Sequence, residues 1–129
     1  MRAVKSRDTN PELAVRRLLF STGYRYRLHR ADLPGKPDIA FPGLRKVIFV
    51  NGCFWHGHDC ARGARVPKAN RPYWEEKVGR NRERDKLQLR KLQELGWSAL
   101  SVWECEIRNP VLLLERMQLF LNARPVRMS

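Results

Sequence analysis

The first part of the chain contains one segment in which apolar residues recur at helical spacing behind a helix-start signal. Thr9 and Glu12 form a capping box, with Thr9 as the N-cap and Glu12 three residues later. Gly23 is a typical residue to end a helix. The apolar positions between them are Val15, Leu18 and Leu19. This pattern predicts a helix between Thr9 and Gly23.

Three short segments with strand patterns follow. Tyr24, Tyr26 and Leu28 alternate with polar residues, as in a half-buried strand. Residues 38–41 form a short strand segment between two turns that contain Pro and Gly. Residues 47–50 are an uninterrupted apolar run, which is typical of a central strand buried on both faces.

The second half of the chain predicts a long helix, a strand and a last helix. The long helix begins near Pro72 and ends at Gly96, and the strand covers residues 97–103. Pro110 opens the last helix. Apolar positions assigned to these two helices include Trp74, Val78, Leu89, Leu92, Leu95, Val111, Leu114, Met117 and Leu121. The order of elements predicts an α/β fold with a mixed sheet flanked by helices, in a single domain over residues 1–129.

The charge distribution indicates a polyanionic partner. The chain of 129 residues carries 26 Lys and Arg against 13 Asp and Glu, a net charge of +13. Residues 1–31 hold eight basic and two acidic side chains, and residues 62–91 hold eleven and four, around a neutral middle. Two basic segments on either side of a neutral one are consistent with a cleft that binds a phosphate backbone. The alternative is a basic surface that is only solvated.

The sequence also argues against a membrane or secreted protein. No apolar run reaches the ~20 residues of a transmembrane helix, and the first residues lack the apolar segment of a signal peptide. Three cysteines cannot all be paired in disulfides. We therefore expect a cytoplasmic protein with no membrane partner.

Thiol and imidazole groups cluster in the middle of the chain. Cys53, His58 and Cys60 fall within eight residues, and Cys105 would join them if its strand lies beside the apolar central strand. Thiolates and an imidazole are the ligands of a closed, structural Zn²⁺ site. His56 is the alternative imidazole, and the alternative for the cysteines is that they are small buried apolar residues.

A second group of polar residues suits metal-dependent phosphodiester hydrolysis. Asp38 enters a strand beside the end of the next one, where it could hold Mg²⁺ with a backbone carbonyl. His56 could transfer a proton, Asp85 could orient that imidazole, and Glu12 could reach a metal-bound water. The alternatives are a turn residue for Asp38, a solvated ion pair for Asp85 and the capping box for Glu12.

Large aromatic residues lie in and after the polar loop. Phe54 and Trp55 sit between the candidate zinc ligands, and Trp74 lies near the start of the basic helix. Such side chains can stack between bases and open a duplex. The alternative is that they cover the metal site and pack on the sheet.

Taken together, several segments resemble the very-short-patch-repair (Vsr) DNA mismatch endonucleases. They match in order and spacing, they span about residues 5–108, and the Cys-Phe-Trp-His segment that begins at Cys53 is the most specific. The matching segments are residues 8–12, 26–29, 33–38 (LPGKPD), 52–60 (GCFWHGHDC), 81–85 and 96–105.

The resemblance implies a role for each matched residue. Asp38 matches the essential Mg²⁺-binding aspartate, Val50 the residue whose carbonyl binds the same metal, and His56 the essential histidine. Asp85 and Glu12 match supporting acidic residues at the active site. The structural zinc ligands are matched by Cys53, His58, Cys60 and Cys105. The aromatics that wedge beside the mismatch are matched by Phe54, Trp55 and Trp74.

Two matched positions depart from the family, and one of them matters. Val50 replaces a threonine, which changes nothing if only its carbonyl is used. Well-studied members have a histidine where this chain has Asn51, and an amide cannot shuttle a proton at neutral pH. Asn51 can still hydrogen-bond a metal-bound water or a phosphate, so we expect it, with Glu12, to tune the hydration of the metal. We also expect Lys36 and Arg84 to contact DNA.

The resemblance implies a restriction-endonuclease-like fold and a Mg²⁺-dependent, zinc-stabilised enzyme. The implied activity is a nick in one strand of double-stranded DNA at a T:G mismatch, by a monomer whose candidate further partners are mismatch-repair factors. One alternative is a related nickase of different specificity in DNA defence or mobility. Another is a non-catalytic zinc DNA-binding module, for which Asn51 is the best argument.

Overall fold

The structure is a computed structural model that describes residues 10–52 and 71–123. The first range contains helix α1 and strands β1, β2 and β3, which cover Asn10–Ser21, Arg27–Leu28, Ile39–Phe41 and Lys46–Asn51. The second contains helix α2, strand β4, a 3₁₀ turn and helix α3, which cover Arg71–Glu94, Ser98–Trp103, Glu104–Arg108 and Pro110–Asn122. This order confirms the predicted succession of helices and strands, while the predicted N-cap Thr9 lies outside the described residues.

The four strands form one mixed sheet in the order β1-β2-β3-β4. The pairs β1–β2 and β2–β3 are antiparallel, and β3–β4 is parallel, with Val50 level with Val102. The apolar run at residues 47–50 is therefore part of a strand with neighbours on both sides, as predicted. Because β3 and β4 are parallel, their last residues, Asn51 and Trp103, meet at the same edge of the sheet.

Helices cover both faces of this sheet, because successive strand residues point to opposite sides. Ile39 and Ile48 belong to a core cluster shared with α1 and α3, whereas Ala40 and Val47 pack in a second cluster with Leu92 of α2. None of these five residues has exposed surface. The described part of the chain is thus a helix–sheet–helix sandwich, which confirms the predicted α/β class.

Three expectations about the elements are wrong in detail. The strand expected from Tyr24 onward is reduced to the two residues of β1 at the sheet edge, and Leu28 is exposed. Leu95 is exposed because it lies beyond the end of α2, in a turn that Gly96 completes with φ +85°. Val111 is exposed because the buried stripe of α3 runs through other positions, namely Leu113, Met117 and Leu121.

A buried lysine joins the central sheet to the last helix. Lys46 is 4% exposed, and its Nζ donates to the carbonyl oxygens of Phe120 at 2.7 Å, Leu121 at 3.0 Å and Ala123 at 2.6 Å. These carbonyls lie at the C-terminal end of α3, where a helix has unsatisfied acceptors and partial negative charge. The ammonium group therefore satisfies the end of α3 and fixes it against β3.

Among residues 10–52 and 71–123, no helix combines the length and the apolar character needed to cross a bilayer.

We predict that Lys46→Met lowers the free energy of unfolding by about 2 kcal/mol, because it leaves three buried or partly buried carbonyl groups without their cationic donor. Urea denaturation followed by circular dichroism measures this loss. Lys86→Met, at an exposed position of α2, is the matched control and should change stability by less than about 0.5 kcal/mol. Equal losses in the two variants would contradict the role assigned to Lys46.

Candidate active site

Asp38 lies directly before β2, level with the end of β3, at the position that the sequence predicted. Since Ile39 pairs with Ile48 in an antiparallel register, the residue before β2 reaches the last residues of β3. Its Oδ2 atom accepts a hydrogen bond from the N–H of Val50 at 2.8 Å. This bond fixes the carboxylate at the edge of the sheet.

The loop that leads to Asp38 has an unusual backbone that packs closely against its neighbours. His29, Gly35 and Lys36 have φ values of 52°, 79° and 49°, in the left-handed region. A Cβ atom on Gly35 would lie 3.1 Å from side-chain atoms of Phe49 and Gln88, so a larger residue would push the loop away from β3 and α2. The glycine therefore allows the loop to approach the rest of the site.

Glu12 brings a second carboxylate to the same place from α1. It is 1% exposed, and Arg16, one helical turn later, donates a hydrogen bond to its Oε2 atom. The Nε2 atom of His29 lies 3.3 Å from that oxygen and 2.9 Å from Nη2 of Arg16. Because a guanidinium group can only donate, Nε2 of His29 is the acceptor in its contact with Arg16.

Glu12, His29 and Asp38 form a cluster of groups that can bind a metal. One ligand atom from each of them lies within 4.8 Å of the other two. His29 is tied to Asp38 through the backbone as well, since its N–H donates to the Asp38 carbonyl at 3.1 Å. Carboxylate oxygens and an imidazole nitrogen are suitable ligands for a divalent cation, so the residues present fit the metal expected from the sequence.

This cluster opens into a cavity of about 820 Å³ between the sheet edge, the loop and α2. His29 and Asp38 line it. Six residues singled out from the sequence also meet at its wall, namely Lys36, Asp38, Val50, Asn51, Arg84 and Asp85. The fold thus assembles these six residues, of which Lys36 and Asp85 are 49 positions apart along the chain, around one concave surface.

The electrostatics of the cavity centre on Asp38. Burial raises the pKa of Asp38 to about 7, and the nearby carboxylate of Glu12 adds to the rise. The Val50 hydrogen bond and the charge of Arg16 act in the opposite direction on the same pKa. Below about pH 7 the site therefore favours a proton on Asp38, and a divalent cation could replace that proton.

Several predicted site residues lie outside the described residues. They are His56, the aromatics Phe54 and Trp55, and the candidate zinc ligands Cys53, His58 and Cys60. Cys105 is half-buried in the 3₁₀ turn after β4, and Trp74 is half-buried in α2, edge-on to Tyr73 with ring centres 5.0 Å apart. The expected meeting of Asp38 and His56 stays a prediction.

The sequence reasoning missed His29 and Arg16. The spacing of Glu12 and Arg16, four residues apart on a predicted helix, is a signal for an ion pair that was available from the sequence. For His29 the available signal was weaker: a polar residue at the end of a strand pattern, in a segment that the resemblance already included. Its ring turns toward Glu12 from a left-handed backbone that no local pattern predicted.

We predict that Asp38→Asn stabilises the fold at pH 8 when no divalent metal is added. Between the unfolded pKa near 3.8 and the folded value of about 7, the folded state holds a proton that the unfolded state has lost, so wild-type stability falls as pH rises through this window. The variant lacks this penalty and should gain on the order of 2 kcal/mol at pH 8 and little at pH 4.

Denaturant titrations at the two pH values test this, with Asp32→Asn as the control. Asp32 is exposed and its hydrogen bond to Arg30 lowers its pKa, so its replacement should not stabilise the chain at pH 8. A loss of stability in Asp38→Asn at pH 8 would contradict the raised pKa.

Known proteins resemble this chain along most of its length. The family model described as DNA mismatch endonuclease Vsr matches residues 1–62. The type II nicking enzyme V.XorIIP of Xanthomonas oryzae is 49% identical over 122 residues, which cover 95% of this chain and 89% of that protein. The DNA mismatch endonuclease Vsr of Escherichia coli is 46% identical over 108 residues, which cover 84% of this chain and 69% of that protein. The chain therefore belongs to the Vsr family of DNA endonucleases.

Proposed function

We propose that this endonuclease requires Mg²⁺ and nicks one strand of double-stranded DNA at a T:G mismatch. The observation that carries the proposal is the pair of close carboxyl groups, Glu12 and Asp38, at a cavity that also contains Lys36 and Arg84. Carboxylates bind a cation, and basic side chains on the same wall bind a phosphate. The name of the Escherichia coli relative, a DNA mismatch endonuclease, supports the substrate class.

Asp38 and the backbone carbonyl of Val50 would hold the metal, with Glu12 beside them. Val50 lines the cavity next to Asp38, and its N–H already orients the Asp38 carboxylate, which supports this ligand pair. A bound divalent cation would lower the pKa of an attacking water and offset charge on the leaving oxygen.

The chain's own side chains would position the DNA and move protons. Lys36 lines the cavity from the loop and Arg84 lines it from α2, and they would hold phosphate oxygens near the scissile bond. The Asn51 amide would hydrogen-bond a water or a phosphate oxygen at the end of β3. His56 would transfer the proton, with Asp85 as the carboxylate that orients its ring.

Mismatch preference would come from the aromatic residues Phe54, Trp55 and Trp74. Aromatic side chains inserted at a base step pay for unstacking with new stacking contacts, and a mismatched step unstacks more readily than a paired one. Trp74 lies in the first turn of α2, on the helix that also carries Arg84 and Asp85 to the cavity. A wedge at that end of α2 would act on the same duplex, about 15 Å from Arg84 along the helix axis.

A second candidate is a nickase of different specificity. V.NmeAIP of Neisseria meningitidis is 41% identical over 117 residues, which cover 91% of this chain and 83% of that protein. Like the Xanthomonas oryzae relative, it is named a type II nicking enzyme. These names favour cleavage of a single strand, and they do not mention a mismatched substrate. Parallel assays on T:G and fully matched duplexes separate the two candidates.

We predict that wild-type chain with Mg²⁺ nicks a labelled T:G duplex much faster than the matched duplex. Asp38→Ala should lower the nicking rate by about a thousandfold, because the metal loses its main carboxylate, while leaving DNA affinity within a few fold. Denaturing gels and fluorescence anisotropy measure the two quantities.

Asp32→Ala is the matched control for this experiment. It removes an exposed aspartate that pairs with neighbouring Arg30 in the same loop, and it should nick at the wild-type rate. Equal rates on the two duplexes would favour the nickase of other specificity. DNA binding without any Mg²⁺-dependent nicking would leave the non-catalytic zinc module.

We further propose that Cys53, His58, Cys60 and Cys105 bind one structural Zn²⁺. The register supports this ligand set, because it pairs Asn51 with Trp103, and the sequence places Cys53 and Cys105 two residues after each of them. Four protein ligands would close the site to water and hold the polar loop at the end of β3.

We predict about one zinc ion per chain in purified protein, measured by inductively coupled plasma mass spectrometry. Cys105→Ser should reduce the zinc content and lower the melting temperature, because one of four ligands is lost. A folded wild-type preparation that contains no zinc would contradict the site.

A further inference from the structure

His29 places an imidazole inside the proposed metal site. Three separate elements supply the cluster: Glu12 comes from α1, His29 follows β1, and Asp38 precedes β2. The backbone bond between His29 N–H and the Asp38 carbonyl fixes the two residues opposite each other. The ring is 17% exposed and lines the cavity, so it is accessible to a small cation.

The dimensions of the cluster suit a single ion. Its ligand atoms lie within 4.8 Å of one another, and an ion at the centre of an equilateral triangle of that size would be about 2.8 Å from each atom. Metal–ligand distances for common divalent cations are about 2.0 to 2.6 Å. Side-chain shifts of less than about 1 Å would therefore complete the coordination.

A positive group already occupies this cluster. Nη2 of Arg16 contacts both Oε2 of Glu12 and Nε2 of His29. A divalent cation that uses the His29 nitrogen must therefore displace one Arg16 hydrogen bond, since the lone pair of that nitrogen cannot serve both. Arg16 would thus compete with the metal for His29, while its contact with Glu12 can persist through one carboxylate oxygen.

We propose that the His29 ring nitrogen is a further direct ligand of the catalytic cation, beside Asp38, the Val50 carbonyl and Glu12, and that Arg16 is a built-in competitor for that nitrogen. The inference rests on the proposed function and adds a ligand to it. Because Mg²⁺ strongly prefers oxygen ligands and Mn²⁺ accepts imidazole nitrogen more readily, the site binds Mn²⁺ more tightly than Mg²⁺.

The test uses the full chain and Mn²⁺ without DNA. Pulsed electron paramagnetic resonance detects an imidazole nitrogen bound to Mn²⁺, and calorimetric titration measures the affinities for Mn²⁺ and Mg²⁺. Three variants are compared with wild type: His29→Gln, Arg16→Gln and His56→Gln. The last is the matched control, because it removes a different histidine. Circular dichroism and melting temperature are recorded for each.

Opposite effects are expected for the two partners of the hydrogen bond. His29→Gln should abolish the imidazole signal and weaken Mn²⁺ binding about tenfold, with a smaller change for Mg²⁺. Arg16→Gln should keep the signal and tighten Mn²⁺ binding, because the competing charge is gone. His56→Gln should keep the signal. A purely structural role for the cluster would weaken binding in both the Arg16 and His29 variants.

The inference is overturned if wild type lacks an imidazole signal, if the signal persists in His29→Gln, or if Arg16→Gln weakens Mn²⁺ binding. Should Arg16→Gln fail to fold, the spectra of wild type and His29→Gln decide alone. The nicking assay separates this result from the proposed function. Mn²⁺ bound through His29 in a chain that does not nick DNA would refute the function only, and nicking without a His29 signal would refute the added ligand only.

Discussion

The site depends on the burial of two carboxyl groups against each other at the edge of the sheet. The Val50 N–H holds Asp38 at the end of β3, and α1 brings the fully buried Glu12 beside it. This arrangement is electrostatically costly without a positive partner, since the Glu12 carboxylate opposes ionisation of Asp38. Arg16 and the proton favoured on Asp38 reduce that cost in the metal-free chain, and a divalent cation would reduce it further.

Much of this framework could be predicted from the sequence. The apolar run at residues 47–50 identified the central strand, and Asp38 at the start of a short preceding strand was correctly placed beside its end. Both predictions rest on short-range rules: the period of buried residues and the position of turns. Family resemblance added Val50 and Asn51. Their meeting with Asp85 at one cavity depends on the tertiary fold and follows from no local pattern.

The remaining features could not be read from local patterns. His29 reaches Glu12 only because its backbone is left-handed and because α1 packs where its first turn faces the loop. The buried face of α3 runs through Leu113 and not Val111, since several leucines in a row allow more than one phase and packing against the sheet selects one. Asn51 and His29 line the same cavity. His29 therefore supplies an imidazole to the cavity, although the residue at the end of β3 is an asparagine.

The central claim is that Glu12 and Asp38 face a scissile phosphate with a divalent cation between them. The most direct measurement is a crystal structure of the chain with Mn²⁺ and a T:G duplex that carries a non-cleavable phosphorothioate. The account predicts an anomalous Mn²⁺ peak in contact with Asp38 and with a phosphate oxygen at the mismatch. A duplex bound on another face of the molecule, with the Asp38 carboxylate away from every phosphate and from the Mn²⁺ peak, would contradict it.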